Sequence, residues 1–345
     1  MSNAKEIQNR INGIKDTMKI TRAMYMMSSM KLRKAKQKLE DTLPFFDELQ
    51  EQIGDILYHF PDMQHIYFDN REKDKRQEVK KKGFIVITGD KGMAGAYNHN
   101  VIKEAARLAD QVADKEDYRL YVVGEVGRQY FGGQGYPIDG TFRYSSNNPS
   151  IHRARVITEY IVDLYRREQL DEVYVIFTKM VNSIREEVVV QQLLPLKTHQ
   201  FLEQEHMAEA ERLHGLEAGG AGEDGATKNA DEGVGKSGKE YIREDVTHDK
   251  ADDWYLIYPS PKVVLEKLVY NYVTGYMYCV LVEGFATEEN ARMMAMQSAT
   301  DNAEAMLKSL SVEYNRVRQA AITQEITEVI GGAKALKKKK NRQGR

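Results

Sequence analysis

Lys5-Glu-Ile-Gln-Asn-Arg-Ile-Asn-Gly-Ile-Lys-Asp-Thr-Met-Lys-Ile-Thr-Arg-Ala-Met24 places an apolar or small residue alternately four and three positions apart, at Ile7, Ile11, Ile14, Met18 and Thr21. The spacing continues through Tyr25, Ser28, Leu32, Ala35, Leu39, Thr42, Phe46, Leu49, Ile53 and Ile56 to Phe60. A seven-residue repeat of this length predicts one long helix with a seam that needs a partner. The other end of the chain repeats the pattern through Met296, Ala299, Ala303, Met306, Leu310 and Val317, then shifts phase to Ile322, Ile326, Val329, Ala333 and Leu336. Each seam is the economical partner of the other. Paired antiparallel, a first helix of about 55 residues spans about 80 Å and a last one of about 75 spans about 110 Å, so the longer protrudes. A rod of that length suits a shaft, and it suits a passive spacer or tether equally well.

Between the two ends lies sequence of another texture. Gly83-Phe-Ile-Val-Ile-Thr88 is a short apolar run entered from a charged loop, as expected of a strand buried on both faces. A helix from about Asn98, a strand Tyr118–Val123, a glycine-rich stretch, a helix from Ser150 to Arg167 and a strand Val173–Phe177 follow. The alternation predicts a small parallel α/β unit. The fold class expected is therefore α/β plus a long antiparallel coiled coil. The divisions are 1–75 (first helix), 78–202 (α/β domain, Rossmann-like but not nucleotide-binding), 203–253 (acidic insertion) and 254–345 (last helix with a basic tail).

The chain has 345 residues and 41% hydrophobic content, enough for a sizeable core and about two structural units. Its longest apolar stretch, Leu268 to Ala286, contains Asn271, Glu283 and several tyrosines, which fits a buried helix rather than a membrane span. No charged leader with an apolar core precedes the first heptad, so secretion is not expected. One cysteine, Cys279, excludes an internal disulfide and a cysteine-based zinc site.

The formal net charge of −2 conceals segregation. Lys15, Lys19, Arg22, Lys31, Arg33, Lys34, Lys36 and Lys38 crowd the first helix and Lys337 to Lys340 the tail, whereas residues 203–253 carry an excess of about nine negative charges and read as a flexible insertion. The basic residues lack aromatic platforms or a reading module, so nucleic acid is not an expected partner.

Catalytic signals are thin. Gly89-Asp90-Lys91-Gly92-Met93-Ala94-Gly95 sits where a phosphate-binding turn could sit, yet it matches neither the Walker spacing nor Gly-x-Gly-x-x-Gly. Tight-turn geometry accounts for its glycines, and Asp90 and Asn98 are candidates to cap the backbone that follows. The histidines are scattered without ligand spacing, and Glu186 and Glu187 point to opposite sides of a strand. Ser145-Ser146-Asn147-Asn148-Pro149 reads as a loop leading into a helix cap. No catalytic residue, cofactor or metal is expected.

Three stretches, in order, resemble one family, the gamma subunit of the F-type ATP synthase. They are Lys5 to Met24 with Lys31-Leu-Arg-Lys-Ala35; Ile87-Thr-Gly-Asp-Lys-Gly-Met-Ala-Gly-Ala-Tyr-Asn98; and Ala291-Arg-Met-Met-Ala-Met296 with Ala299-Thr-Asp-Asn-Ala303 and Tyr314-Asn-Arg-Val-Arg-Gln-Ala-Ala-Ile-Thr-Gln-Glu-Ile326. The resemblance implies a non-catalytic rotor shaft inside a ring of three alpha and three beta subunits, with epsilon and the membrane c-subunit ring below. With no transit peptide read at the start of the sequence, the expected place is peripheral, on the cytoplasmic face of a bacterial membrane. By matching motifs, Met24, Arg318, Gln319 and Thr323 would contact the beta subunits. Ile322, Ile326, Val329 and Leu336 would turn in an apolar bearing at the top, and Tyr255, Leu256 and Tyr258 would form the foot near epsilon and the c ring. The acidic insertion departs from the family pattern, and Met93-Ala94 replaces its usual Leu-Cys.

Overall fold

The computed structural model describes residues 4–60, 63, 65–68, 80–198, 200–201 and 257–343, with side chains as far as residue 334. The element order is α1 (Ala4–His59), β1 (Lys82–Ile87), α2 (Tyr97–Asp110), β2 (Tyr118–Val123), α3 (Glu125–Gly133), α4 (Ile151–Arg166), β3 (Glu172–Met180), β4 (Glu186–Leu194) and α5 (Pro261–Gln343). Tyr255, Leu256 and the acidic insertion 203–253 lie outside the described residues.

Helix α1 presents the expected seam. Ile7, Ile11, Thr21, Ser28, Leu32, Ala35, Leu49, Ile53 and Ile56 are buried, and the seam positions between them are half-buried. The helix runs through Pro44, whose missing N–H leaves the Glu40 carbonyl without its helical donor on a face open to water. Its partner is α5. Phe46 stacks on Tyr272 with centroids 4.7 Å apart, Lys31 Nζ donates to Glu289 Oε1 at 2.9 Å, the Thr21 and Thr300 hydroxyls meet at 2.9 Å, and Arg22 pairs with Glu304. Ascending numbers on α1 meet descending numbers on α5, so the contacts run antiparallel.

The sheet has the order β2-β1-β3-β4. β1 pairs in parallel with β2 (Ile85 opposite Tyr121) and with β3 (Ile85 opposite Val175). β4 runs antiparallel to β3 (Phe177 opposite Val189), which corrects the expectation of an all-parallel sheet. The reason is the connection: residues 181–185 form a hairpin, and a parallel return needs a crossover of a dozen or more residues. Ile85 and Ile87 face one side, with α4 and the lower parts of α1 and α5; Phe84 and Val86 face the other, with α2 and α3. β1 is thus covered on both faces, as its continuous apolar run requires. The stretch Leu268–Ala286 belongs to α5, where Val269, Val273, Met277, Val280 and Leu281 enter this core. Among the described residues no helix is long and apolar enough to cross a membrane.

Candidate functional site

Counting from Thr21 opposite Thr300, the first described residue of α1, Ala4, falls opposite Val317. On α5 the seam descends through Ala303, Leu307, Leu310, Tyr314 and Val317, all buried or half-buried. Met306, expected in the seam, is 56% exposed. The step from Ala303 is four residues rather than three, which turns Leu307 inward. Beyond Val317 the helix continues to Gln343, about 40 Å at the helical rise, past the described residues of α1. Every described side chain from 318 to 334 is exposed.

Arg318, Gln319 and Thr323 lie on this free end. Gln319 and Thr323 are one turn apart, and the Thr323 hydroxyl donates to the Gln319 carbonyl at 2.9 Å. Ile322, Ile326 and Val329 form an exposed apolar row beside them, joined by Ile330. No other described residue buries this row. Leu336 continues the helix, described by its backbone alone. The structure does not bring Met24 to this group: it is half-buried on α1, about 30 Å down the pair. Tyr258 is exposed ahead of the first turn of α5.

Where the α/β unit meets the helix pair, polar groups are buried that sequence reasoning did not single out. Thr287, Glu288, Glu289, Asn290 and Arg292 of α5 are all less than 9% exposed. Arg292 pairs with Glu288 and, at 3.0 Å, with Glu289, whose Oε1 also accepts from Lys31 of α1. The turn after β1 lies against this group. A Cβ on Gly89 would stand 2.7 Å from Glu288 Oε1, and one on Gly284 would stand 3.0 Å from Ile87 Cγ2, so glycine permits both approaches. Burial pushes the Glu288 carboxyl above its usual range even though Arg292 draws it down. Burial, then the nearby Glu288 charge, raises the Tyr97 hydroxyl well above its ordinary value.

The first two N–H groups of the turn are engaged, that of Asp90 by Ser146 Oγ at 3.0 Å. Gly89 N donates to Asn98 Oδ1 at 2.7 Å, so the N–H that could meet a phosphate meets a side chain instead. Neither Asp90 nor Asn98 caps the backbone that follows it, which corrects the sequence expectation: Asn98 bonds back to Gly89 N and the Lys91 carbonyl, and α2 has no side-chain cap at Ala96. The Asp90 carboxylate reaches across to the loop before α4, accepting from the Ser145 hydroxyl and from Asn147 N and Nδ2. Burial alone would raise its carboxyl, but these bonds outweigh it and hold it below the usual range. Arg153 of α4 donates to the Ser145 and Asn147 carbonyls, and Lys38 of α1 donates to Asn148 Oδ1 and the Pro149 carbonyl. That loop ends, as expected, in a helix cap: Ser150 Oγ accepts from Arg153 N. Among the described residues no group of His, Cys, Asp and Glu is arranged to hold a metal. The run of polar residues from Thr287 to Asn290, directly after the longest apolar stretch, gives no sign in the sequence that these charges are buried.

The sequence model of the ATP synthase family matches residues 3–336. The chain is 39% identical over 338 residues to an ATP synthase gamma chain of Ruminiclostridium cellulolyticum, covering 97% of this chain and 99% of that one. It is 35% identical over 336 residues to a sodium ion-specific ATP synthase gamma chain of Acetobacterium woodii, covering 97% and 99%. Among solved structures, it resembles a chain of the Euglena gracilis mitochondrial ATP synthase OSCP/F1/c-ring assembly in rotational state 3. The TM-score there is 0.57 at 15% identity, with 96% of this chain and 94% of that chain covered, a likeness of fold.

Proposed function

Because the chain belongs to the ATP synthase gamma-chain family, it is the non-catalytic central rotor shaft of that membrane-associated complex, and we propose that α1 and α5 form its antiparallel coiled coil. One copy stands inside a ring of three alpha and three beta subunits, with the α/β unit below it, towards epsilon and the c ring on the cytoplasmic face. Ion flow through the c ring turns the shaft. One asymmetric rod cannot touch three identical beta subunits alike, so each takes a conformation with its own nucleotide affinity, and rotation passes those states around the ring.

The observation that carries this reading is the free end of α5. A helix that outruns its partner and that, among the described residues, is exposed from 318 to 334 is built to be surrounded. Ile322, Ile326, Val329 and Leu336 form the apolar bearing, without directional bonds to impede turning. Arg318, Gln319 and Thr323 supply polar contacts to beta subunits, the guanidinium forking onto a carboxylate. Met24 meets them lower on the shaft, and Tyr255, Leu256 and Tyr258 form the foot.

Purified alpha and beta subunits, assayed for ATP hydrolysis and sized with and without this chain, test the proposal. One copy should join three of each and raise hydrolysis several-fold. A chain that elutes alone and leaves hydrolysis unchanged would return the passive-scaffold reading.

A further inference from the structure

Heptad seams are degenerate. Sliding one helix by seven residues, about 10 Å, restores the same apolar pattern, and apolar contacts resist rolling only weakly because they have no direction. The upper seam here is unusually shallow, with Thr21, Ser28, Ala299, Thr300 and Ala303 at its contacts. A shaft that carries torque needs something that fixes the two helices in angle and register.

Glu289 has the geometry for it. Its side chain is fully buried, and its Oε1 is shared by Lys31 Nζ of α1 at 2.9 Å and Arg292 Nη1 of α5 at 3.0 Å. The Lys31 ammonium also lies 5.9 Å from the centre of the Phe285 ring. Glu289 Oε2 is buried with no hydrogen-bond partner. Any roll or slip of α1 would withdraw Lys31 from a carboxylate that water does not reach, leaving a buried charge short of a cation. In the other described ion pair between these helices, Arg22 with Glu304, both members are about half exposed and neither charge is left buried on separation, whereas in the Lys31 pair only the lysine is exposed. Through Arg292 the network continues to Glu288, which lies against Gly89 and within 3.5 Å of the Ser146 hydroxyl, and Ser146 in turn accepts from Asp90 N at 3.0 Å. The two helices and the α/β unit thus meet at one connected set of charges.

We propose that Glu289 is a positioning residue, a buried register pin that locks α1 to α5 at the level where the α/β unit is fastened, so that torque applied below reaches the free end undiminished. The proposal rests on the rotor reading and adds where the shaft is stiffened. Glu289 is buried while Lys31 is about half exposed; a pair with one buried charge adds little stability yet can fix register, so its removal as a pair should separate the two properties.

The test uses the complete complex in sealed vesicles, in a Cys279→Ser background, measuring ATP hydrolysis, ATP-driven ion pumping and the unfolding temperature of the free chain. Lys31→Met/Glu289→Leu replaces the pair with apolar groups. The unfolding temperature should stay near that of the parent while ions pumped per ATP fall about two-fold or more. Adding Thr21→Cys/Thr300→Cys, at positions whose hydroxyls touch, supplies a covalent pin. Oxidation should restore the pumping ratio and reduction should abolish the gain. Parental pumping in Lys31→Met/Glu289→Leu, or a ratio that does not respond to the disulfide, overturns the pin. A parent complex that hydrolyses ATP without pumping would instead overturn the rotor reading.

Discussion

Burial decides the chemistry of Cys279. It raises the thiol to about 11, with the Glu283 and Asp47 carboxylates adding to the effect. Two units above the ordinary value cut the thiolate about 100-fold, and the greater nucleophilicity of a more basic thiolate returns about ten-fold of that. Iodoacetamide at pH 8 should therefore label the folded chain about ten-fold more slowly than the urea-unfolded one; equal rates, followed by mass spectrometry, would contradict this placement. Asp90 makes the opposite case. Its folded value lies below the unfolded 3.8, so the stability it contributes is full above 3.8 and disappears as pH falls through the folded value. Asp90→Asn should cost about 1 kcal/mol at pH 7, discounted because the group is part-exposed. The difference in unfolding temperature from the parent should persist down to about pH 5 and close in stronger acid. A difference that widens in acid would mean that the carboxylate does not accept from Ser145 and Asn147.

Helix α1 and helix α5 distinguish seam residues from surface residues sharply enough to test by stability alone. Ile53 is fully buried, and Ile53→Ala should cost about 2–5 kcal/mol in urea unfolding. Ile326→Ala and Val329→Ala, on the free end, should each stay within about 0.5 kcal/mol while lowering the stimulation of ATP hydrolysis. Thr21 and Thr300 bring two hydroxyl protons to three contacts, with Met18 O, Met296 O and each other. Removing both hydroxyls should therefore cost less than the sum of the single changes to Val. Much of this was legible in the sequence, because a long repeat averages over local irregularity. From Ile7 to Phe60 every expected seam position is buried or half-buried, and Gly54, Asp55 and Leu57 are buried beside them. Met306 misled because a three-residue and a four-residue step look alike where Met306 and Leu307 are adjacent. Helix α3 was hidden by Gly127, Gly132 and Gly133, and tertiary packing of Phe131 holds it. The joint around Glu288 and Glu289 was not legible, since the burial of those charges depends on groups from α1, the turn after β1 and the loop before α4. Nothing local in the sequence places them together.

At the scale of the whole molecule, the sequence motifs named the partners of a rotor, and the structure adds how the parts are fastened. The apolar core joins the sheet to the lower halves of α1 and α5, the charged joint ties the turn after β1 to α5, and the upper helix end stands free. A load applied to the α/β unit therefore has a stiff route into the shaft and a bare surface on which to act. The most direct test attaches a bead to the α/β unit, at a cysteine introduced in place of the exposed Ile151 with Cys279 replaced by Ser, and watches it on an immobilised complex with alpha and beta subunits. With ATP the bead should turn in one direction with three evenly spaced dwells per revolution. A bead that stays still, or swings without direction, while the same complexes hydrolyse ATP at full rate would contradict the account.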